Sequence, residues 1–169
     1  MYALIQTLVD ITFLRKGPED IPHSALLLYL CVGLWLAGLV AMTVLVPSAT
    51  ASAAWISLAS WVLGMMIYVS ILNVMGRLGR ATQTLAALAG CGAMITFAML
   101  AILLLMTPLV GSNPANLGAI LVLFWSVPVK GHIIARAIEQ HWYVGIAIAM
   151  SIFIIQFVFS STFSPEPVS

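Results

Sequence analysis

The sequence predicts an all-α, polytopic membrane bundle of five transmembrane helices plus an N-terminal amphipathic interfacial helix. Three observations predict it. The 169 residues are 63% hydrophobic and 7% charged, with a mean hydropathy of +1.15, whereas soluble domains are nearer half apolar and a quarter charged. The apolar residues gather into five runs of about 20, the length at which a helix rising ~1.5 Å per residue crosses a hydrocarbon core. Threading five spans places all six Lys and Arg residues on one side of the membrane. Lipid offers a backbone no hydrogen-bond partner, and runs this long lack the alternation of barrel strands, so the spans are helices.

The first segment, residues 1–23, is different in kind. In "MYALIQTLVDITFLRKGPEDIPHS" the residues Leu4, Ile5, Leu8, Ile11 and Leu14 recur near helical spacing, with Gln6 and Asp10 off that stripe. The apolar part is too short to span. Arg15 and Lys16 follow it, whereas a secretory signal carries its positive charge first. Met1–Leu14 therefore reads as a helix lying in the inner-leaflet interface, the alternative being a helix packed on the cytoplasmic ends of the bundle. "GPEDIPHS" then turns the chain into the membrane, with Ser24 available as an N-cap.

The spans follow in residues 24–160. They are Ala25–Val46, closed by Pro47; Ala54–Met75, closed by Gly76; Ala81–Thr107, closed by Pro108; Leu117–Ile138; and Trp142–Phe159. Residues 161–169 read as a short extracytoplasmic tail. Arg15 and Lys16 precede the first span, Arg77 and Arg80 lie between the second and third, and Lys130 and Arg136 lie toward the end of the fourth. "PSATAS", "LVGSNPAN" and the tail carry no basic residue. The positive-inside rule puts the N-terminus in the cytoplasm and the C-terminus outside.

Scarce charge also gathers in "VPVKGHIIARAIEQHW", Val127–Trp142. Lys130 and Arg136 serve as topology determinants and anchors whose stems snorkel toward headgroups. His132 and Arg136, and Arg136 and Glu139, are spaced to share a helix face. Pro128 and Gly131 are positioned to bend the span. Arg77, Arg80, Lys130, His132 and Arg136 fall at one predicted depth, a candidate site for an anionic lipid headgroup or a partner's acidic segment.

Enzymatic chemistry finds little purchase. The three histidines form no zinc spacing, and no GxSxG or Walker loop occurs. Asp10, Glu19, Asp20, Glu139 and Glu166 all fall near span ends, so no carboxylate pair sits deep as an ion-coupled pump requires. The net charge of +1 gives no field for nucleic acid. No cofactor is expected, and Cys31 and Cys91 read as buried small hydrophobes. Gln156, deep in the last span, reads as an interhelical hydrogen bond. Trp55 and Trp142 open spans as belt residues, while Trp35, Trp61 and Trp125 lie deeper, against neighbouring helices. Small residues repeat at four-residue spacing (Ala37/Ala41, Ser60/Gly64, Ala86/Gly90, Gly145/Ala149), and "ALAGCGA" lets another helix approach the third span closely.

Two segments, "GRATQTLAALAG" (Gly79–Gly90) and "LFWSVPVKGHIIARA" (Leu123–Ala137), together with the short amphipathic start and five spans, resemble the YIP1 (Yip1-type) membrane domain, in particular its small bacterial members. The resemblance covers most of the chain. It implies a membrane-embedded helical domain without catalytic residues. Eukaryotic members are implied in vesicle traffic and small-GTPase binding and carry a soluble N-terminal region, which is almost lacking here, so that binding is not carried over. The expectation is a non-enzymatic integral inner-membrane protein, a scaffold, assembly or membrane-organising factor. It binds anionic lipid, a membrane-protein partner or its own copies. The alternative is a small transporter or transporter subunit, although five spans do not divide into two equal inverted repeats.

Overall fold

The structure, a computed structural model, describes residues 2–46 and 50–163, with side chains from Gln6 onward. Among these residues the chain forms six α-helices and no strand: α1 (Tyr2–Thr12), α2 (Ala25–Leu45), α3 (Ala51–Val74), α4 (Ala81–Val110), α5 (Ser112–Ala137) and α6 (Trp142–Phe163). The last five are long and apolar enough to cross a membrane. The chain is a multi-pass membrane protein. The closing role of Pro47, the side chains of Leu4 and Ile5, and the tail 164–169 lie outside the described residues.

Helix ends follow local chemistry, and they move some expected boundaries. α3 starts at Ala51, ahead of the expected Ala54, because the Thr50 hydroxyl accepts the Ala53 N–H at 3.2 Å. Such a cap satisfies one of the free donors of a first turn. Ser24 takes the capping position of α2, but its side chain makes no capping bond. The expected loop "LVGSNPAN" is mostly helix. α4 runs through Pro108 to Val110, α5 starts at Ser112, and Gly111 (φ +91°) is the whole connection. Pro114 falls in the first turn of α5, where its missing N–H needs no helical partner. α6 likewise continues past Phe159 to Phe163.

Three helices end in the same reversal, with the next two N–H groups folding back on the last turn. At the end of α3, Gly76 (φ +68°) donates to the Asn73 carbonyl at 3.0 Å and Arg77 to the Leu72 carbonyl at 2.8 Å. Glycine suits this left-handed position because it has no Cβ to clash. Leu14 (φ +62°) after α1 and Glu139 (φ +55°) after α5 make the same turn with a side chain in place.

The five spans form a ring in the order α2, α4, α5, α6, α3, each successive pair in contact. α4 and α5 are antiparallel across the Gly111 corner. α5 and α6 meet at Gly131 and Gly145, where a Cβ on Gly131 would stand 2.9 Å from the Ile146 Cα. α3 leans mainly on α6. The ring closes thinly, where Trp35 of α2 stacks on Trp61 of α3 with centroids 4.4 Å apart. The chain turns bearing Arg77, Arg80 and Glu139 define one end of the ring, called here the basic end.

α1 does not lie across the ends of the spans. Leu8 is buried against Gly90 and Cys31, the Cys91 thiol donates to its carbonyl at 3.8 Å, and the Thr12 hydroxyl lies 3.9 Å from the Met94 sulfur. Contacts advancing together along both helices mean that α1 runs alongside α4. Met94 is thirteen residues into α4, ~20 Å from its start. The small residues of "ALAGCGA" are what admit it: a Cβ on Gly90 would meet Leu8 at 2.7 Å. The residues after α1 then return to the basic end. Leu14, expected on the helical stripe, is instead the turn that starts this return.

Candidate functional site

The five basic-side residues predicted to form one site fall into three groups. Arg77 and Arg80, on the α3–α4 turn, both reach Glu139, Arg77 to one carboxylate oxygen and Arg80 to the other at 2.6 Å. Arg136 pairs with Glu19 at 3.3 Å. Arg80, Arg136, Glu19 and Glu139 border one hollow at the basic end, so three arginines and two glutamates are brought together there. His132 faces the returning N-terminal segment, its Nε2 lying 3.0 Å from the Lys16 carbonyl. A carbonyl only accepts, so this nitrogen carries the proton. Gln83 donates to the Ile21 carbonyl at 2.5 Å from the opposite side, and Lys16 pairs with Asp10 at 2.9 Å. The N-terminal segment is thus stitched to α4 and α5 by polar bonds.

The expected Arg136–Glu139 face does not form. Three-residue spacing joins side chains only while the helix lasts. Glu139 lies beyond the end of α5 in a left-handed turn, and its carboxylate swings to the α3–α4 turn. Sequence reading left Glu139 out of the site. Its signal was present, as a carboxylate just past a helix end and on the side that carries every arginine.

Lys130 stands apart. It is seven residues before the end of α5, ~10 Å up the helix from the basic end. Side chains on a helix lean toward its N-terminus, which on α5 is the far end, so Lys130 leans away from the nearer interface. It lines a partly open cavity of about 290 Å³ to which all five spans contribute residues. Ser126, one turn earlier on the same face, lines it too, as do Tyr68, Ser60, Gln156 and the Trp35–Trp61 stack. Ser60 and Gln156 are bonded to each other across α3 and α6, the amide donating to the Ser60 carbonyl at 2.8 Å. This is the interhelical bond expected of Gln156. The hydroxyls of Tyr68 and Ser126, each 3% exposed, have no partner among the described residues, and Lys130 makes no ion pair there.

Other sequence expectations divide. Three of the four small-residue pairs seat neighbouring helices: Gly64 admits Gln156, Gly90 admits Leu8, and Gly145 meets Gly131. Ala37 is exposed, and Gly38 makes the contact with Thr96 instead. Trp125 is not packed deeply. It is 45% exposed, and its indole donates to the Thr12 carbonyl at 3.3 Å. Among the described residues no group of three or more His, Cys, Asp or Glu is arranged to hold a metal ion. No family model, curated protein or solved structure matches this chain.

Proposed function

We propose that the chain is a non-enzymatic protein of the plasma (inner) membrane that acts as a scaffold, assembly or membrane-organising factor through its basic end. Its N-terminus is cytoplasmic and its C-terminus extracytoplasmic. Kinship with YIP1-type membrane domains is part of this reading and rests on the two segments quoted above. The observation that carries it is Glu139. A glutamate occupies a left-handed turn where the matching turn of α3 has Gly76, a conformation that strains any residue with a Cβ. Its carboxylate holds Arg77 and Arg80 together, so a strained backbone joins the turn after α5 to the α3–α4 turn in one preformed surface. A guanidinium has five donors, and one carboxylate oxygen leaves each fork open to an anionic headgroup or the acidic segment of a partner, a second copy included. A small transporter is the second reading, favoured by the cavity within the ring.

Two measurements test the first reading. An alkaline phosphatase fusion after Ser169 is active and one within Gly76–Arg80 inactive; the reverse pattern removes the assigned orientation. Native mass spectrometry of Arg136→Gln shows about fivefold less retained phosphatidylglycerol or cardiolipin than wild type, the effect of ~1 kcal/mol for one basic residue at an anionic surface. Unchanged lipid retention, with unchanged self-association, leaves these residues as anchors.

A further inference from the structure

We propose that the cavity around Lys130 is a binding site for a single-tailed anionic amphiphile, whose compact carboxylate or phosphate head meets Lys130 and whose tail leaves the ring between α3 and α4. Four observations converge on it. The cation lies within a span, on a wall of the cavity, and its side chain leans away from the nearer membrane surface. Two hydroxyls buried on the same wall and across from it, those of Ser126 and Tyr68, lack partners among the described residues. Buried polar groups are satisfied as a rule, and exceptions call for an explanation; a bound anion offers acceptors to all three donors at once. The cavity volume, about 290 Å³, stands at the small end of the range of ligand sites, roughly 300–1,000 Å³. It accommodates a head and the first methylenes, not a two-tailed lipid.

The fourth observation gives the tail its route. A second hollow, of about 380 Å³, lies on the outer surface between α3 and α4, lined by Val62, Met66, Val69 and Leu85. Met66 is 64% exposed on this lipid-facing side. Trp61 and Met65 border both hollows and alone are shared between them. A flexible, unbranched methionine adapts readily to a passing alkyl chain. α3 makes little contact with either α2 or α4, so the ring is thinnest along this side of α3. A water-soluble anion has no use for such a route, and the walls beside the head, Leu123 and Phe153 among them, suit methylenes.

The test uses the full chain, purified and stripped of lipid, with binding read by native mass spectrometry. The probes are oleate, oleoyl lysophosphatidate, oleyl alcohol and inorganic phosphate. One equivalent of oleate or lysophosphatidate binds the wild type, and the preferred one of the two identifies the head. Oleyl alcohol and inorganic phosphate each bind at least tenfold more weakly. Lys130→Met loses roughly tenfold or more for the anionic probes, as expected for a hydrogen bond to a charged group, whereas Lys130→Arg retains binding. Arg15→Gln, an exposed cation outside both the cavity and the basic-end hollow, binds oleate like the wild type. If Lys130→Met does not fold, Tyr68→Phe combined with Ser126→Ala takes its place, with a severalfold loss expected. Oleate binding that is indifferent to Lys130 or to the hydroxyl pair, or equal affinity for oleyl alcohol, overturns the proposal. So does binding of inorganic phosphate as tight as that of lysophosphatidate.

Discussion

Arg80 and Lys130 are both cations of a bundle that is mostly apolar, and they are treated in opposite ways. Arg80 sits at the basic end with one carboxylate oxygen of Glu139 at 2.6 Å, the other oxygen being held by Arg77. Lys130 sits seven residues in from the end of a 26-residue span, beside a void and two unbonded hydroxyls, with no carboxylate in reach among the described residues. At the basic end charge is neutralised by the protein itself and ties turns together. In the cavity the neutralising group is left to something else. The contrast teaches that position near other basic residues in sequence is a poor guide to what a cation does. The presence or absence of its own carboxylate is the better one.

The sharpest way to break this contrast is to remove each cation in turn from the lipid-stripped protein. Lys130→Met raises thermal stability, because it removes from a part-buried site an ammonium that no carboxylate neutralises. Arg80→Met lowers it slightly, as a half-exposed ion pair is worth only about 0–1 kcal/mol. Melting followed by tryptophan fluorescence in detergent measures both. A loss of stability in Lys130→Met means that the ammonium is already satisfied within the chain, and the contrast collapses.

How far these roles were legible in sequence follows from the same physics. The five spans were legible because run length alone identifies them, and so was Gln156, since an amide deep in lipid must bond a neighbouring helix. The boundaries at Ala51 and Gly111 were not, because a threonine cap and a positive-φ glycine act on single residues within otherwise polar loops. The rotation of α5, which turns Lys130 inward, was invisible for a different reason. A span surrounded by lipid is apolar on every side, so no amphipathic stripe marks which face meets the bundle. The partner of Glu139 was hidden by the 62 residues that separate it from Arg77. The insertion of α1 alongside α4 was half visible: the small residues of "ALAGCGA" predicted a close neighbour but could not say which one.

A smaller effect sharpens the other side of the contrast. The turns at Gly76 and Glu139 have the same hydrogen bonds and different residues. Gly76→Ala costs about 1–2 kcal/mol through left-handed strain. Glu139→Ala keeps the strain and loses the carboxylate, whereas Glu139→Gly loses the carboxylate but relieves the strain. The glycine variant is therefore the more stable of the two by about 1–2 kcal/mol and stands close to wild type, because each exposed ion pair contributes little. Equal unfolding midpoints for the two variants would show that the turn relaxes freely and that Glu139 is not held under strain.

The smallest effect lies inside the cavity, between polar groups that have partners and those that have none. Gln156 reaches α3 because Gly64 has no Cβ; one built there would collide with the amide. The amide donates to the Ser60 carbonyl at 2.8 Å, and α3 has few other firm attachments. Interhelical hydrogen bonds in membrane proteins average about 0.6 kcal/mol and reach about 1.7, so Gln156→Leu destabilises by that order. Gly64→Ala displaces the same amide and costs a similar amount. The double variant costs less than the sum, since both changes remove one bond. Tyr68→Phe, by contrast, deletes a buried hydroxyl that bonds nothing among the described residues. Removing an unsatisfied group is neutral or favourable, so the stripped protein melts at or slightly above the wild-type temperature. With oleate present the order reverses: Tyr68→Phe gains less from the ligand than wild type, while Gln156→Leu gains as much. A Tyr68→Phe variant that melts early without any ligand has lost a bond within the protein, and its hydroxyl then belongs with Gln156 rather than with Lys130.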